Sequence, residues 1–313
     1  MRYIDSLRDG DRITAIYLCK QKTSAMTKTG KEYENVILQD KTVSLDCKIW
    51  EPSSAGIGEF EPLDYVEVSG RLSTFNGTLQ LSIERARKCD EGEYDPKDYL
   101  PVSSRDINEM YNELLSYIKD FKNPYIKKLA ESFFVEDEAF IKVFKNSSAA
   151  KTIHHGFVGG LLEHTVSVAK LCNVLGGLYP ILNKDLLVVS ALLHDIGKVK
   201  ELSAFPLNDY TDEGQLLGHI VMGVEMVSEK LKNIPDFPVK LASEIKHCIV
   251  AHHGEFEFGS PKKPAIIEAL VLSMADNLDA KIEQVTEIFN ATESEDWLGY
   301  NRLLESNIRK SSN

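Results

Sequence analysis

Long apolar runs are missing from this chain. The densest apolar segment among its 313 residues extends from Leu186 to Leu193 and is already interrupted by Ser190. It is far shorter than the ~20 residues that a helix needs to cross a membrane. The N-terminal segment MRYIDSLRDGDR is charged and lacks the apolar stretch of an export signal. We therefore expect no membrane partner and no secretion.

Paired cysteine motifs are missing as well. The chain has five cysteines, which are scattered and form no C-x-x-C motif: Cys19, Cys47, Cys89, Cys172 and Cys248. An odd number without such spacing argues against a disulfide framework. We interpret the five as free thiols in a reducing cytoplasm, where disulfides are rare.

An excess of basic charge is the third absence. The formal net charge is −12, which taken alone argues against nucleic-acid binding. The acidity is confined to one part, however: residues 1–88 hold 13 basic and 13 acidic residues, whereas residues 89–313 hold 23 and 35. The neutral part ends in a basic cluster of Arg85, Arg87 and Lys88. This cluster is either a solvated strand end or a set of phosphate contacts.

The first third of the chain has the pattern of a small β-barrel. It holds five β-rich runs, RITAIYLCK, EYENVILQD, VSLDCKIW, YVEVSGRL and TLQLSI. The dipeptide Asn76-Gly77 predicts a tight hairpin between the last two runs, because both residues tolerate positive φ. A longer connection separates the third run from the fourth. This spacing predicts a five-stranded OB-like barrel over residues 1–89, with an SH3-like barrel as the alternative.

The rest of the chain is predicted to be helical, so that the fold is multi-domain, a barrel followed by an all-α domain. Residues 90–150 read as an acidic linker and a helical connector, and residues 151–290 as the main helical domain. We expect the tail, residues 291–313, to pack back as a short helix. The last long helix is expected to be central, because it has an apolar stripe of Ile267, Leu270, Val271, Met274, Ala275 and Leu278.

Five short segments of the helical part have the residue types of one metal site. They are His164, the pair His194-Asp195, His219, the pair His252-His253, and Asp276. Imidazoles and carboxylates without thiolates suit divalent Mn, Fe, Co or Zn. Because Asp195 directly follows a histidine, its carboxylate can lie between two metals. A bridged metal pair is a device for hydrolysing phosphate esters.

The segment ALLHDIGK, residues 191–198, is the most specific of the five. A buried apolar helix that ends in two ionisable residues is costly unless they are paired or ligated. Gly197 permits the helix to break, after which Lys198 can point back toward the site. The other ligands would be unremarkable alone, so the interpretation depends on the whole set.

The order of these ligands resembles that of the HD superfamily of metal-dependent phosphohydrolases, an all-helical fold, over residues 160–280. More narrowly, the segments KNSSAAKTIHHGFVGGLLEHT, ALLHDIGKVKEL, GHI and AHHGEF behind an OB-like barrel are similar to the YhaM family of bacterial 3′→5′ exoribonucleases. This resemblance implies release of nucleoside monophosphates from the 3′ end of single-stranded RNA, and of single-stranded DNA as a second substrate. It also implies two divalent ions, Mn²⁺ first, with Co²⁺, Fe²⁺ or Mg²⁺ as alternatives.

The resemblance further implies a role for each ligand. One ion would be held by His164, His194, Asp195 and Asp276. Asp195 would bridge to a second ion, which His219 and His252 would complete. Some family members have a glutamate four residues before the first ligand histidine. Here that position is Gly160, so we expect two ions, not three.

Three further groups would act on the substrate. Lys198 would neutralise charge that develops on the phosphoryl oxygens. His253 would be a ligand, a substrate contact or the acid that protonates the leaving 3′ oxygen. His154 and His155 would either touch substrate or serve in capping and packing.

Aromatic residues of the barrel are the candidates for holding the strand. OB folds bind single strands by stacking bases on aromatic rings beside a basic groove. The candidates are Tyr17, Tyr33, Trp50 and Phe75, of which half are expected to belong to the barrel core. Trp50 ends a strand and Phe75 adjoins the predicted hairpin turn, so these two are the preferred surface residues.

Two other functions stay open at this point. One is an HD phosphohydrolase of small nucleotides or cyclic dinucleotides with a regulatory OB domain. The cyclic-dinucleotide branch has a Gly-Tyr-Pro signature, and Gly259-Ser260-Pro261 lacks its tyrosine. The other is a non-enzymatic single-strand binder with a degenerate site, against which the complete ligand set argues. Assembly into a homo-oligomer is compatible with each of them.

Overall fold

The structure is a computed structural model in which the chain divides into two compact units. The first comprises Met1–Ser104 with Ser203–Asp209, and the second comprises Arg105–Leu202 with Tyr210–Asn313. The residues that the structure describes are 2–27, 29–75, 77–100, 102–151, 156–290, 292, 294, 296–302 and 304–312. His154 and His155, which we expected either to touch substrate or to serve in capping and packing, lie outside these residues. The same holds for Asn76 of the predicted turn.

The first unit is a closed five-stranded barrel. Its strands are β1 (Arg12–Met26), β2 (Glu32–Gln39), β3 (Ser44–Ile49), β4 (Tyr65–Phe75) and β5 (Thr78–Lys88). Around the barrel they follow the order β1-β2-β3-β5-β4, and only the β3–β5 pair among them is parallel. A five-stranded barrel with this crossover has the OB architecture. The OB-like prediction is therefore confirmed over the SH3-like alternative.

Three strands extend beyond their predicted ends. β1 continues to Met26, β4 to Phe75 and β5 to Lys88. The added residues are mostly exposed and polar, so they carry little of the alternation by which a strand is recognised. The basic cluster consequently lies within β5 and not after it.

The second unit contains the helices. They are α1 (Ile107–Asp120), α2 (Pro124–Phe134), α3 (Glu138–Asn146), α4 (Gly160–Leu178), α5 (Lys184–Leu193), α6 (Lys198–Glu201), α7 (Asp212–Lys232), α8 (Val239–Ala251) and α9 (Ile267–Asn290). Asp106, Asn123 and Asp137 start the first three by accepting hydrogen bonds from free backbone N–H groups. In the described part of the chain, no helix is both long and apolar enough to cross a membrane.

One hydrophobic core joins all but the shortest of these helices. Residues of α1, α2 and α3, such as Leu114, Phe133 and Phe144, are fully buried in the same cluster as Leu162 and Leu187. The segment predicted as a connector therefore contributes to the core of the helical unit. Helices were predicted in this segment, but the sequence alone did not show that they pack into this core.

The tail and α9 depart from the predictions. The predicted C-terminal helix is wrong, because the tail forms a hairpin of β6 (Trp297–Asn301) and β7 (Ser306–Arg309). In α9 the buried face is formed by Glu268, Ala269, Leu272 and Ala275. Most of the predicted apolar stripe is exposed instead, including Met274 and Leu278.

All five cysteines are buried and unpaired, as predicted.

Candidate metal centre

Side chains that we predicted as metal ligands converge on one place from five parts of the helical unit. His164 lies in the second turn of α4, and His194 and Asp195 directly follow α5. His219 lies in α7, the pair His252-His253 directly follows α8, and Asp276 lies in the middle of α9. The structure brings together every side chain that we predicted as a metal ligand.

The two carboxylate oxygens of Asp195 face two different sets of partners. Oδ2 lies 3.5 Å from Nε2 of His164 and 3.4 Å from Nε2 of His194. Oδ1 lies 3.4 Å from Nε2 of His219 and 3.5 Å from Nε2 of His252. A carboxylate with one oxygen directed at each of two donor groups has the geometry of a bridging ligand.

Asp276 belongs to the set on the Oδ2 side. Its Oδ1 is 3.1 Å from Nε2 of His164 and 3.8 Å from Nε2 of His194. These two histidine nitrogens are themselves 3.1 Å apart. Two imidazole nitrogens and two carboxylates within this space match the first predicted ligand group.

The set on the Oδ1 side contains buried polar atoms without partners. Asp195 Oδ1, His219 Nε2 and His252 Nε2 are all buried, and none accepts or donates a hydrogen bond within the described part of the chain. Such orphaned atoms are costly unless something else binds them. Ligand atoms of His219, His252 and His253 also lie within 4.8 Å of one another. A divalent cation would satisfy these atoms, so the residues present fit a metal.

The other ring nitrogen of each histidine is already engaged. His194, His252 and His253 place Nδ1 against the backbone carbonyls of Ala191, Ile249 and Phe258, at 2.8, 2.6 and 2.9 Å. Such partners fix the tautomer that leaves Nε2 free as a ligand. All five histidines of the site therefore present Nε2 toward it, since His164 and His219 are held in the same way by carboxylates.

The two carboxylates that hold these histidines were missed in the sequence. Asp279 Oδ2 lies 2.8 Å from Nδ1 of His164, and Glu201 Oε1 lies 3.0 Å from Nδ1 of His219. Asp279 follows Asp276 by three residues, so that the helical period of α9 would have revealed it. Glu201 had no such signal, because it stands in a short charged stretch whose contact with α7 is tertiary.

Two glycines make the junction of α6 and α7 possible. A Cβ on Gly197 would lie 2.0 Å from the carbonyl oxygen of His219, closer than any side chain can come. Gly218 has φ +73° and breaks α7 just before His219. The break predicted at Gly197 is therefore observed, and its reason is close backbone packing as well as helix termination.

Neighbouring charges shift the pKa values of Asp195 and Lys198. Burial alone would raise the pKa of Asp195, but the Lys198 ammonium and the contacts with His194 outweigh it and hold that pKa well below its usual range. Lys198 Nζ lies 2.6 Å from Asp195 Oδ2. Burial would lower the pKa of Lys198, yet the Asp195 carboxylate raises it, so Lys198 is a cation.

The pKa values of two histidines of the site are shifted in opposite directions. Burial would lower the pKa of His164, but the carboxylates of Asp276 and Asp279 raise it to about 10. The same negative potential would attract a divalent cation. Burial and the neighbouring His252 lower the pKa of His253. A neutral His253 is a competent ligand, which favours that role over the proton donor that we also considered.

A cavity of about 300 Å³ opens onto the ligands. Its ionisable lining includes His164, Asp195, Lys198, His252, His253 and Asp276. The remaining lining is small or uncharged and consists of Ala149, Ala150, Phe258, Ser273, Asn277 and Ala280. The cavity therefore offers a substrate both a charged region and a less polar one.

The predicted strand-binding aromatics do not form one patch. Tyr17 is fully buried in the barrel core, and its hydroxyl donates to the Arg2 carbonyl, so the prediction that it stacks on a base is wrong. Tyr33 and Trp50 are neighbours, with ring centroids 5.3 Å apart. Phe75 pairs with Thr78 at the opposite end of the barrel wall.

The register gives the distance between the two ends. Because Lys48 is level with Ser82 on β5, Trp50 is level with Glu84, six residues beyond Thr78. At ~3.3 Å per residue this separates Trp50 from Phe75 by roughly 20 Å along the strands.

The basic cluster is largely engaged with acidic partners. Arg87 pairs with Glu67 and Glu93 at 2.9 Å, and Lys88 pairs with Asp64 at 2.6 Å. The side chain of Arg85 makes neither a hydrogen bond nor an ion pair with the described residues. Of the three predicted phosphate contacts, Arg85 is thus the one whose charge is uncompensated.

Comparisons with known proteins find relatives that match most of this chain. The HD domain family matches residues 161–281. The 3′-5′ exoribonuclease YhaM of Geobacillus sp. (strain WCH70) is 35% identical over 277 residues, which cover 88% of this chain and 84% of the relative. The 3′-5′ exoribonuclease YhaM of Bacillus subtilis (strain 168) is 34% identical over 281 residues, which cover 88% and 87%.

A solved structure resembles the barrel. The second OB-fold domain of replication protein A from Methanococcus maripaludis covers 30% of this chain and 98% of that chain, at 19% identity and a TM-score of 0.24. The strand order of the barrel itself therefore carries its assignment to the OB type.

The HD domain and its clusters of histidine and aspartate define a metal-dependent hydrolase joined to an OB-type barrel. Within that class, the chain belongs to the family of the 3′-5′ exoribonuclease YhaM.

Proposed function

We propose that this protein is a 3′→5′ exoribonuclease that releases nucleoside monophosphates from single-stranded RNA, and from single-stranded DNA as a second substrate. The observation that carries the proposal is the position of Asp195, whose two oxygens face separate histidine sets. The names of the related proteins support the substrate and the polarity. These relatives share 84% and 87% of their length with this chain.

Two divalent ions are part of the proposal. His164, His194, Asp195 and Asp276 would hold one, and Asp195 with His219, His252 and His253 would hold the other. When bound, such a pair activates a water molecule for in-line attack and stabilises charge on the phosphate oxygens. Mn²⁺ is the first candidate, and Co²⁺, Fe²⁺ and Mg²⁺ are the alternatives, because nitrogen and oxygen donors accept all of them.

Lys198 serves the reaction through its fixed positive charge. Its ammonium is held beside Asp195 and lines the cavity. A cation that is already in place when charge develops on the phosphoryl oxygens lowers the barrier without a cost of reorganisation.

The barrel would hold the strand upstream of the 3′ end. Trp50 and Phe75 are 47% and 63% exposed, and Tyr33 adjoins Trp50, so these three rings are available to bases. Arg85 would contribute a phosphate contact, with Arg87 and Lys88 as weaker contributors because they are already paired. This arrangement favours a polymer over a mononucleotide as the substrate.

The test is a time course on 5′-labelled single-stranded RNA with Mn²⁺, beside an Asp195→Ala variant. A ladder that shortens from the 3′ end, with monophosphates released and no ladder in the variant, is the expected result. Hydrolysis of free nucleotides with intact RNA would instead favour the small-molecule phosphohydrolase. Thermal unfolding of the variant controls for loss of the fold. Repeating the course with Co²⁺, Fe²⁺ and Mg²⁺, and with single-stranded DNA, ranks the metals and the substrates.

A further inference from the structure

We propose that Phe258 is the stacking platform for the base of the 3′-terminal nucleotide, in the cavity that contains the metal ligands. The proposal rests on the exonuclease function proposed above and assigns the cavity its nucleobase subsite. Its basis is the position and the exposure of one aromatic ring, together with the hydrogen bond that holds the backbone of the same residue.

Phe258 is the aromatic side chain, apart from the ligand histidines, among the described residues that line the cavity. It is 65% exposed, which is unusual for a large apolar ring beside a buried cluster of ionisable groups. Three alanines, Ala149, Ala150 and Ala280, line the same cavity and leave space for a planar ligand. An accessible ring in such a place can stack on a base.

The backbone of Phe258 is held at a defined place relative to the predicted metal ligands. His253 Nδ1 donates to the carbonyl oxygen of Phe258 at 2.9 Å, so a predicted metal ligand is tied to the residue itself. Gly259 follows with φ +84°, and the buried Ser260 hydroxyl donates to the carbonyl of Lys262 at 2.7 Å. A short turn fixed on both sides loses little conformational entropy when a base stacks on it.

Stacking also suits the reaction. An exonuclease meets every base at the end of its substrate, and stacking on an aromatic ring is sequence-tolerant because every base has a π-face. Hydrogen-bond readout of base edges would discriminate among ends. A cavity of about 300 Å³ is at the lower limit of small-molecule sites, which suits one terminal nucleotide rather than several.

The chain supplies a matched control two residues away. Phe256 belongs to the same short turn and is 58% exposed, but it is not among the described residues of the cavity lining. Its ring lies 5.5 Å from the ammonium of Lys263 instead. Phe256→Ala therefore removes an exposed ring from the same turn without touching the proposed subsite.

The experiment compares two RNAs that differ only at the 3′ end, one with a normal terminal nucleotide and one with an abasic terminal ribose. Steady-state kinetics with Mn²⁺ are measured for the wild type and for Phe258→Ala, Phe258→Leu, Phe258→Trp and Phe256→Ala. Loss of one stacked base corresponds to roughly 5- to 150-fold in binding. We expect Phe258→Ala and Phe258→Leu to raise KM for normal RNA within that range, with a smaller change in kcat.

The abasic RNA gives the decisive comparison. The wild type, Phe258→Trp and Phe256→Ala should all process it with a higher KM than normal RNA. Phe258→Ala and Phe258→Leu should no longer distinguish the two ends. Because Phe258→Leu keeps apolar volume, it separates loss of the π-face from loss of packing, and thermal unfolding checks each fold.

Two outcomes would overturn the proposal by itself: an unchanged KM in the Phe258 variants, or an abasic penalty that persists in them. A wild type that degrades normal RNA in that case keeps the exonuclease function intact. A wild type that leaves all RNA intact would remove the proposed function and this subsite together.

Discussion

Glu201 and His219 are joined twice by one carboxylate oxygen. Glu201 Oε1 accepts from the backbone N–H of His219 and also lies 3.0 Å from its ring nitrogen Nδ1. Glu201 is anchored in turn, because its own carbonyl accepts from the backbone N–H of Thr211 at 2.9 Å. The pair thereby fixes both the position and the tautomer of one ligand on the Oδ1 side of Asp195.

This relationship predicts a selective loss of metal binding. Glu201→Leu should weaken one of two ion-binding steps by about 10- to 100-fold, the usual effect of removing an outer partner of a ligand. Glu201→Gln keeps an acceptor for the ring and should be affected less. Equilibrium dialysis of Mn²⁺ with the metal-free protein measures both steps without requiring activity.

Asp279→Leu is the matched variant for the other side of the centre. It removes the carboxylate that contacts His164 and should weaken the other binding step. If Glu201→Leu and Asp279→Leu weakened both steps equally, or neither, the division of the site by Asp195 would be contradicted.

Part of this centre could be predicted because four of the predicted ligands stand in two adjacent pairs. The pair His194-Asp195 follows an apolar helix, and the pair His252-His253 ends another. Burial of ionisable side chains is costly unless they are paired or bind a metal, so these positions indicated a site. Glu201 could not be recognised from its segment VKEL, residues 199–202. That segment contains no signal that the chain turns at Gly218 and places His219 against Glu201. Such a contact belongs to the tertiary structure alone.

The fold was likewise predictable in some elements and not in others. The alternation in VSLDCKIW and TLQLSI predicted barrel strands correctly, since a barrel wall buries every second residue. In α9 the larger apolar residues misled the interpretation of the buried face. The helix packs through Ala269, Leu272 and Ala275 and leaves Met274 and Leu278 exposed. Apolar residues lie on both of these faces, so apolar character alone did not identify the buried one.

Gly197→Ala should destabilise the helical unit. The added Cβ would lie 2.0 Å from the His219 carbonyl oxygen and 2.8 Å from the backbone nitrogen of Gly223, and neither backbone atom can move freely. Overpacking of this kind costs about 1–3 kcal/mol. Gly177→Ala is the control, because a Cβ there would meet none of the described residues within 4 Å and alanine is the better helix former.

Urea unfolding measures both glycine variants. The midpoint should fall for Gly197→Ala and should stay or rise for Gly177→Ala. Equal midpoints for the two variants would contradict the close packing of Gly197 on His219.

Divalent metal should stabilise the folded protein. The buried atoms Asp195 Oδ1, His219 Nε2 and His252 Nε2 make no hydrogen bond with the described residues. An ion that binds them therefore stabilises the native state over the unfolded one. At an ion concentration of about 100 Kd one site contributes about 2.7 kcal/mol, or roughly 5–10 °C in a domain of 150–250 residues. Thermal unfolding of the metal-free protein with and without Mn²⁺ measures the shift.

A chelator should reverse this shift, and Asp195→Ala should reduce it, since that carboxylate faces both histidine sets. A melting temperature of the wild type that is independent of Mn²⁺ would contradict a metal at this site.

The separation of Trp50 from Phe75 predicts that RNA length decides which ring matters. Trp50→Ala should weaken binding of any single strand by about 1–3 kcal/mol, the effect of losing one stacked base. Phe75→Ala should have a comparable effect only on strands long enough to cover the roughly 20 Å between the two rings. Fluorescence anisotropy with RNAs of about 4 and about 16 nucleotides, the usual range for one OB fold, tests this.

All variants are made in the Asp195→Ala background, so that the RNA stays intact. Trp297→Ala serves as the control, because Trp297 is exposed on the C-terminal hairpin and belongs to neither the barrel nor the described cavity lining. An affinity unchanged by Trp50→Ala, or a Phe75→Ala effect that is equal for both lengths, would show that the strand does not follow this wall of the barrel.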